Sequence, residues 1–103
     1  MIRVSVCYPN EAGKKFDWEY WVNKHRPAIA QKLGPLGLVR MEADRGIGTA
    51  QPGAPAPFVA VGHMYFNSMQ DFQRCMPAAT EMMADIPNYT NIQPQIQISE
   101  ILS

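Results

Sequence analysis

The chain has 103 residues, with 9 Lys+Arg balanced by 9 Asp+Glu, which excludes a nucleic-acid binder that works through clustered positive charge. A single domain, residues 1–103, fits that length. Hydrophobic residues make up 47% and charged residues 17%, against roughly 25% charged in an average soluble domain, so one small subunit has more apolar surface than it can hide and a homodimer is expected.

Ile2, Val4, Val6 and Tyr8 share one face of a period-two pattern, and Pro9-Asn10-Glu11-Ala12-Gly13 ends it with turn chemistry. This is a first strand. Its alternation also lacks the continuous apolar block of a secretory signal, which points to the cytoplasm. Asp17 is placed to cap a helix whose apolar stripe runs Trp18, Trp21, Val22, Ile29 and Leu33, with Phe16 and Trp21 at staple spacing. Gly34-Pro35 stops the helix. Pro27 lies inside it, where the missing N–H predicts a kink or break near Arg26.

Leu36 to Ile47 contains a partly alternating Val39-Arg40-Met41-Glu42-Ala43-Asp44, which reads as a second strand with one wet face, followed by a Gly/Pro-rich loop over residues 48–57. Phe58 to Phe66 is apolar at nearly every position, which predicts a third strand covered on both faces. Even there the longest unbroken apolar stretch, Phe58-Val59-Ala60-Val61, is far short of the roughly 18 residues that cross a bilayer, so no membrane partner is expected. Ser68-Met69-Gln70-Asp71 opens a second helix with apolar spacing through Met69, Phe72, Met76, Ala79 and Met83, and Pro77 is expected to interrupt it as Pro27 does the first. Residues 85–91 form a turn-rich connector, and Gln95 to Ile101 alternates as a fourth strand.

The order β-α-β-β-α-β predicts an α+β fold of the ferredoxin-like kind: a four-stranded antiparallel sheet with both helices on one face. A third strand apolar in both registers would leave the other face open, and two sheets packed face to face in a dimeric α+β barrel resolve that.

Trp18, Trp21, His25 and Ile29 are spaced by three or four and share one helical face. A histidine there is either a core residue bonded to neighbouring polar groups or a general acid/base lining an apolar cavity between helix and sheet. His63 on the third strand reads as structural, at the contact between sheets. Tyr8, Tyr65, Tyr89, Trp18 and Trp21 combine apolar area with polar tips and suit a small hydrophobic or aromatic ligand, although such residues also build cores. Asp85 can cap a backbone N–H or orient a histidine, and capping is the better reading from sequence. Cys7 and Cys75, each with apolar neighbours, read as reduced, buried packing residues. No Gly-rich phosphate loop, nucleophile elbow, C-x-x-C or H-E-x-x-H occurs, so nothing recruits NAD, flavin or zinc, and no cofactor or metal is expected.

Three segments together carry a resemblance: Ile2-Arg3-Val4-Ser5-Val6-Cys7-Tyr8-Pro9, Phe16-Asp17-Trp18-Glu19-Tyr20-Trp21-Val22-Asn23-Lys24-His25-Arg26-Pro27, and Ala84-Asp85-Ile86-Pro87-Asn88-Tyr89-Thr90 with Ile96-Gln97-Ile98-Ser99-Glu100. They resemble the EthD family, named for a protein of ethyl tert-butyl ether degradation, over nearly the whole chain. The resemblance implies membership of the dimeric α+β barrel superfamily, with its cofactor-independent monooxygenases, muconolactone isomerases and haem-degrading enzymes. It also implies a role for His25, at the family's His-x-Pro position. EthD relatives are often labelled oxidoreductases, and fungal members act as decarboxylases or dehydratases. The expectation is a cofactor-independent enzyme acting on a small hydrophobic or aromatic molecule in a catabolic pathway such as ether degradation, with His25 as acid/base. The alternative is a non-catalytic accessory or ligand-binding protein supporting an oxygenase system, and a purely structural dimer with a filled core is a third reading.

Overall fold

The computed structural model describes all residues 1–103. Strand β1 (Ile2–Pro9) leads through a loop to a first helix built of three parts: α1 (Trp18–Tyr20), a π-helical turn (Trp21–His25) and α2 (Arg26–Leu33). Strands β2 (Leu38–Arg45) and β3 (Phe58–Phe66), the second helix α3 (Met69–Met83) and strand β4 (Gln95–Glu100) complete the chain. The sheet order is β2-β3-β1-β4, with every neighbouring pair antiparallel. This is the ferredoxin-like arrangement expected from the element order.

The first helix starts as its sequence dictates. The Asp17 carboxylate accepts from Tyr20 N at 3.1 Å, and the Phe16 ring packs 5.1 Å from that of Trp21, closing the staple. The disturbance expected at Pro27 takes the form of a π turn, in which Arg26 N–H reaches back five residues to the Trp21 carbonyl. Widening the ring by one residue just before a proline lets the chain absorb the missing N–H without breaking the helix. It also rotates Val22 outward, to 49% exposure, so Val22 leaves the inward stripe.

α3 departs from expectation: it passes through Pro77 without interruption. Pro77 and Gln73, whose carbonyl the proline leaves unpaired, are both exposed, so water can donate to that oxygen. The Ser68 hydroxyl caps this helix by accepting from Asp71 N at 3.1 Å.

Both helices cover the face carrying Val4, Tyr8, Met64 and Phe66. A core of Val4, Leu33, Met64, Phe66, Phe72 and Cys75 fills one end, and a cluster of Tyr8, Trp21, Ala60, Tyr89 and Ile92 fills the other. Between them Gly62 gives Arg26 passage: a Cβ there would stand 2.6 Å from Arg26 Nη1. The guanidinium crosses the strand at that point, and its Nη2 donates to the Glu42 carbonyl at 2.7 Å.

The opposite face differs from the apolar surface expected of β3. Val61 and His63 are half-buried there beside Ser5 and Cys7, while Tyr65 lies beneath Arg40, 4.1 Å from ring centre to guanidinium. Cys75 is buried as expected and Cys7 is only half-buried; both thiols are free.

Candidate active site

His25 closes the π turn, and the 85–92 segment is brought against it by backbone bonding. Asp17 N–H donates to the Tyr89 carbonyl at 2.7 Å, and Phe16 pairs with Thr90 in an isolated antiparallel bridge. This places Asp85 in the role that the sequence made secondary. Its side chain caps no backbone N–H; instead His25 Nδ1–H donates to Asp85 Oδ2 at 2.9 Å. Tyr20 O–H and Asn88 Nδ2–H both donate to Asp85 Oδ1, at 2.7 and 2.8 Å.

A carboxylate only accepts, so this bond fixes the His25 tautomer with its proton on Nδ1 and its lone pair on Nε2. Nε2 makes no hydrogen bond. The residue is 5% exposed, and burial lowers its pKa below the usual histidine range, with the bond and charge of Asp85 opposing that shift. Burial presses on the Asp85 carboxyl in the raising direction, but the hydrogen bonds from Asn88, His25 and Tyr20 together hold it below the usual carboxylate range. At neutral pH the pair is therefore a neutral imidazole on an ionised carboxylate.

The His25 ring borders a cavity of about 330 Å³ between helices and sheet. Tyr8, Val4 and Val6 of β1, Ile96 and Ile98 of β4, and Met76 and Met83 of α3 also line it. Tyr8 and Tyr89 share a hydrogen bond of 2.7 Å between their hydroxyls, and burial raises the pKa of each phenol, so both are neutral. The Tyr89 ring lies 4.6 Å from that of His25.

Of the residues singled out from sequence, Tyr8 and His25 meet at this cavity. Trp21 and Tyr89 stand behind Tyr8 in an aromatic cluster with Phe16 and half-buried Trp18. Tyr65 is on the other face of the sheet, where its O–H donates to Glu42 Oε1 at 2.6 Å. His63 is there too. No group of three or more His, Cys, Asp or Glu side chains comes together in metal-binding fashion, and no helix is long and apolar enough to cross a membrane.

The EthD domain profile matches residues 11–93. The chain belongs to the EthD family. The structure is similar to that of an EthD-like protein from Ralstonia eutropha JMP134, at 32% identity and a TM-score of 0.89, covering 99% of this chain and 92% of that one. The fold alone is shared with a dimeric ferredoxin-like protein from an uncultured marine organism (TM-score 0.61, 9% identity, 100% and 96% covered). It is shared likewise with SnoaB, a cofactor-independent oxygenase from Streptomyces nogalater (TM-score 0.58, 11% identity, 99% and 92% covered). No protein of curated function matches the sequence.

In this EthD chain, sequence reasoning missed Tyr20 and Asn88 as partners of Asp85, and Arg26 as a bridge to β2. The Asn88 contact follows from an Asp-x-x-Asn spacing around a proline turn, a signal that was available. The Tyr20 contact joins segments 65 positions apart, and no local pattern encodes it.

Proposed function

We propose that this protein is a cofactor-independent enzyme that holds a small hydrophobic molecule in the helix–sheet cavity and removes an acidic proton from it with His25. The observation that carries this reading is the unpartnered Nε2 of a buried His25 whose Nδ1–H is held by Asp85. A base in an apolar cavity, neutral at working pH and oriented through its other nitrogen, has what general base catalysis requires. The proton leaves a C–H beside a carbonyl and joins Nε2, while the electron pair stays on the substrate as an enolate. Asp85 stabilises the imidazolium that forms. Tyr8, when it accepts from Tyr89, keeps its own O–H free for the enolate oxygen. Protonation elsewhere, loss of a β-leaving group such as hydroxide, or reaction with oxygen would then give the isomerase, dehydratase or oxidoreductase outcomes found on this scaffold.

The accessory reading keeps the same cavity without turnover, and its nearly continuous apolar wall favours it as the second reading. Replacing His25 by Gln separates the two. An enzyme loses roughly 10²–10⁴-fold in turnover of hydrophobic carbonyl and phenolic compounds, whereas a binder shows no turnover in the wild type and retains its ligand in the variant.

The same proposal includes a homodimer in which a second copy covers the open sheet face. Its polar side chains are bonded among themselves, Ser5 to His63 to Asp44 and Arg40 to Glu42 to Tyr65, and a satisfied network can be covered at little loss. Sedimentation of a folded monomer at micromolar concentration would refute the dimer.

A further inference from the structure

The cavity wall is chemically lopsided. His25 and Tyr8 are set in a lining that is otherwise almost wholly apolar, with methionine contributing Met64, Met69, Met76, Met82 and Met83. Met69, Met76 and Met83 are also among the exposed large hydrophobic residues, as are Ile96 and Ile98 of the edge strand β4, so the cavity opens to solvent through an apolar mouth. No Lys, Arg, Asp or Glu side chain lines the space. Phe72, Tyr8 and His25 are the ring side chains in the lining, whereas Phe16, Trp18, Trp21 and Tyr89 pack on one another and stay out of it.

We infer that the ligand of this cavity is an uncharged carbonyl compound with a flexible aliphatic chain, its oxygen directed to Tyr8 and its α-carbon to His25. This rests on the reading of His25 as proton acceptor and narrows its substrate. Charge is disfavoured by the wall: a carboxylate would be desolvated with no cation in the lining to meet it, and Asp85, bonded behind His25, adds a like charge. Chain rather than ring is favoured because unbranched thioether side chains mould to a flexible partner, and five of them line the wall against a single phenyl ring, Phe72. A volume near 330 Å³ is at the small end for ligand pockets and suits a single chain of moderate length.

The seven methionines provide the readout. Five line the cavity, while Met1 and Met41 do not. With methyl-¹³C-methionine protein at pH 8, titration with 2-decanone should shift the signals of the five and leave Met41 in place. Decanoate, of equal chain length, and 2-acetylnaphthalene, a flat aromatic ketone, should each bind at least about tenfold more weakly, a difference of about 1.4 kcal/mol. No binding of 2-decanone, equal or tighter binding of either competitor, or shifts confined to Met1 and Met41 would overturn the inference. Exchange of α-hydrogens for deuterium in heavy water tests the underlying proton transfer separately. If 2-decanone binds as expected but exchanges no faster with wild type than with His25→Gln, the proton-transfer reading fails while the ligand class stands. If the aromatic ketone binds and exchanges as well as 2-decanone, the ligand class fails while His25 keeps its role.

Discussion

Two histidines sit on opposite sides of one sheet, each bonded to an aspartate, and they differ in what is left over. On the open side His63 is committed at both nitrogens: Nε2–H donates to Asp44 at 2.8 Å and Nδ1 accepts from the Ser5 hydroxyl at 2.9 Å. On the covered side His25 is committed at one nitrogen only, and the residue lines an apolar cavity. Both contacts are ordinary hydrogen bonds, so bonding to an aspartate does not mark a functional histidine. The spare lone pair does, because a proton can be taken only by a nitrogen that has nowhere else to put its electrons.

The largest effect expected from this contrast is on turnover. His25→Gln should lower it by roughly 10²–10⁴-fold, and His63→Gln, which removes a fully bonded ring on the other face, should leave it within about threefold. Rates measured on both variants, each checked for a normal thermal transition, decide the matter. Equal losses in the two would end the distinction.

Asp85→Asn comes next. It replaces a charge-assisted bond, worth about 1.5–3 kcal/mol, with a neutral one, so kcat should fall by about 10–100-fold. Because the bond and charge of Asp85 raise the His25 pKa against burial, their loss should also move the acid limb of the pH–rate profile to lower pH. A merely structural aspartate would lower the amount of folded enzyme and leave that limb in place.

Much of this arrangement was legible in the sequence, for reasons that can be named. Strand β3 was found at both ends because Phe58 to Phe66 is bounded by a Gly/Pro-rich loop and a helix cap. The cap at Asp17 and the inward position of His25 followed from local spacing. Reading failed where the outcome depended on partners distant in the chain. Pro27 and Pro77 look alike in sequence, yet one falls beside a π turn and the other passes through a regular helix with its orphaned carbonyl exposed to water. Tyr65 looked like a ligand contact, but strand alternation sends it to the face opposite Gly62 and Met64, and only the register reveals Glu42 as its partner. Asp85 was visible as a turn residue able to cap a backbone N–H or orient a histidine, whereas the choice between the two, and its partner 60 positions away, was not.

The covered histidine should also leave its mark on stability. Its folded pKa lies below the usual value near 6.5, so the unfolded chain takes up the proton more readily. The stability held above pH 6.5 is then lost progressively as pH falls through the folded value. Asp85, whose folded pKa is also depressed, adds a second loss in a more acidic window, below about pH 4. Thermal melts from pH 8 to pH 5 should show wild type losing more stability than His25→Gln. A wild type that gained stability over that range would mean that Asp85 outweighs burial at His25.

The smallest effect tests whether the two sides act independently. Arg26, next to His25, is a polar link between them: its Nη2 donates to the Glu42 carbonyl at 2.7 Å and reaches the His63 carbonyl at 3.5 Å. Both carbonyls belong to residues whose side chains point to the open face. In Gly62→Ala the new Cβ would stand 2.6 Å from Arg26 Nη1, and the tip of the guanidinium must move. Because that tip ends a flexible side chain, the loss should be that of one hydrogen bond, about 0.5–1.5 kcal/mol, or some 4–8 °C in Tm per kcal/mol for a domain of this size. Arg26 does not line the cavity, and its charge is the smallest of the influences on the His25 pKa, so the pH–rate profile should stay close to its wild-type position. A displaced acid limb in this variant would show instead that the bridge tunes His25, and that the two faces of the sheet are coupled through one arginine.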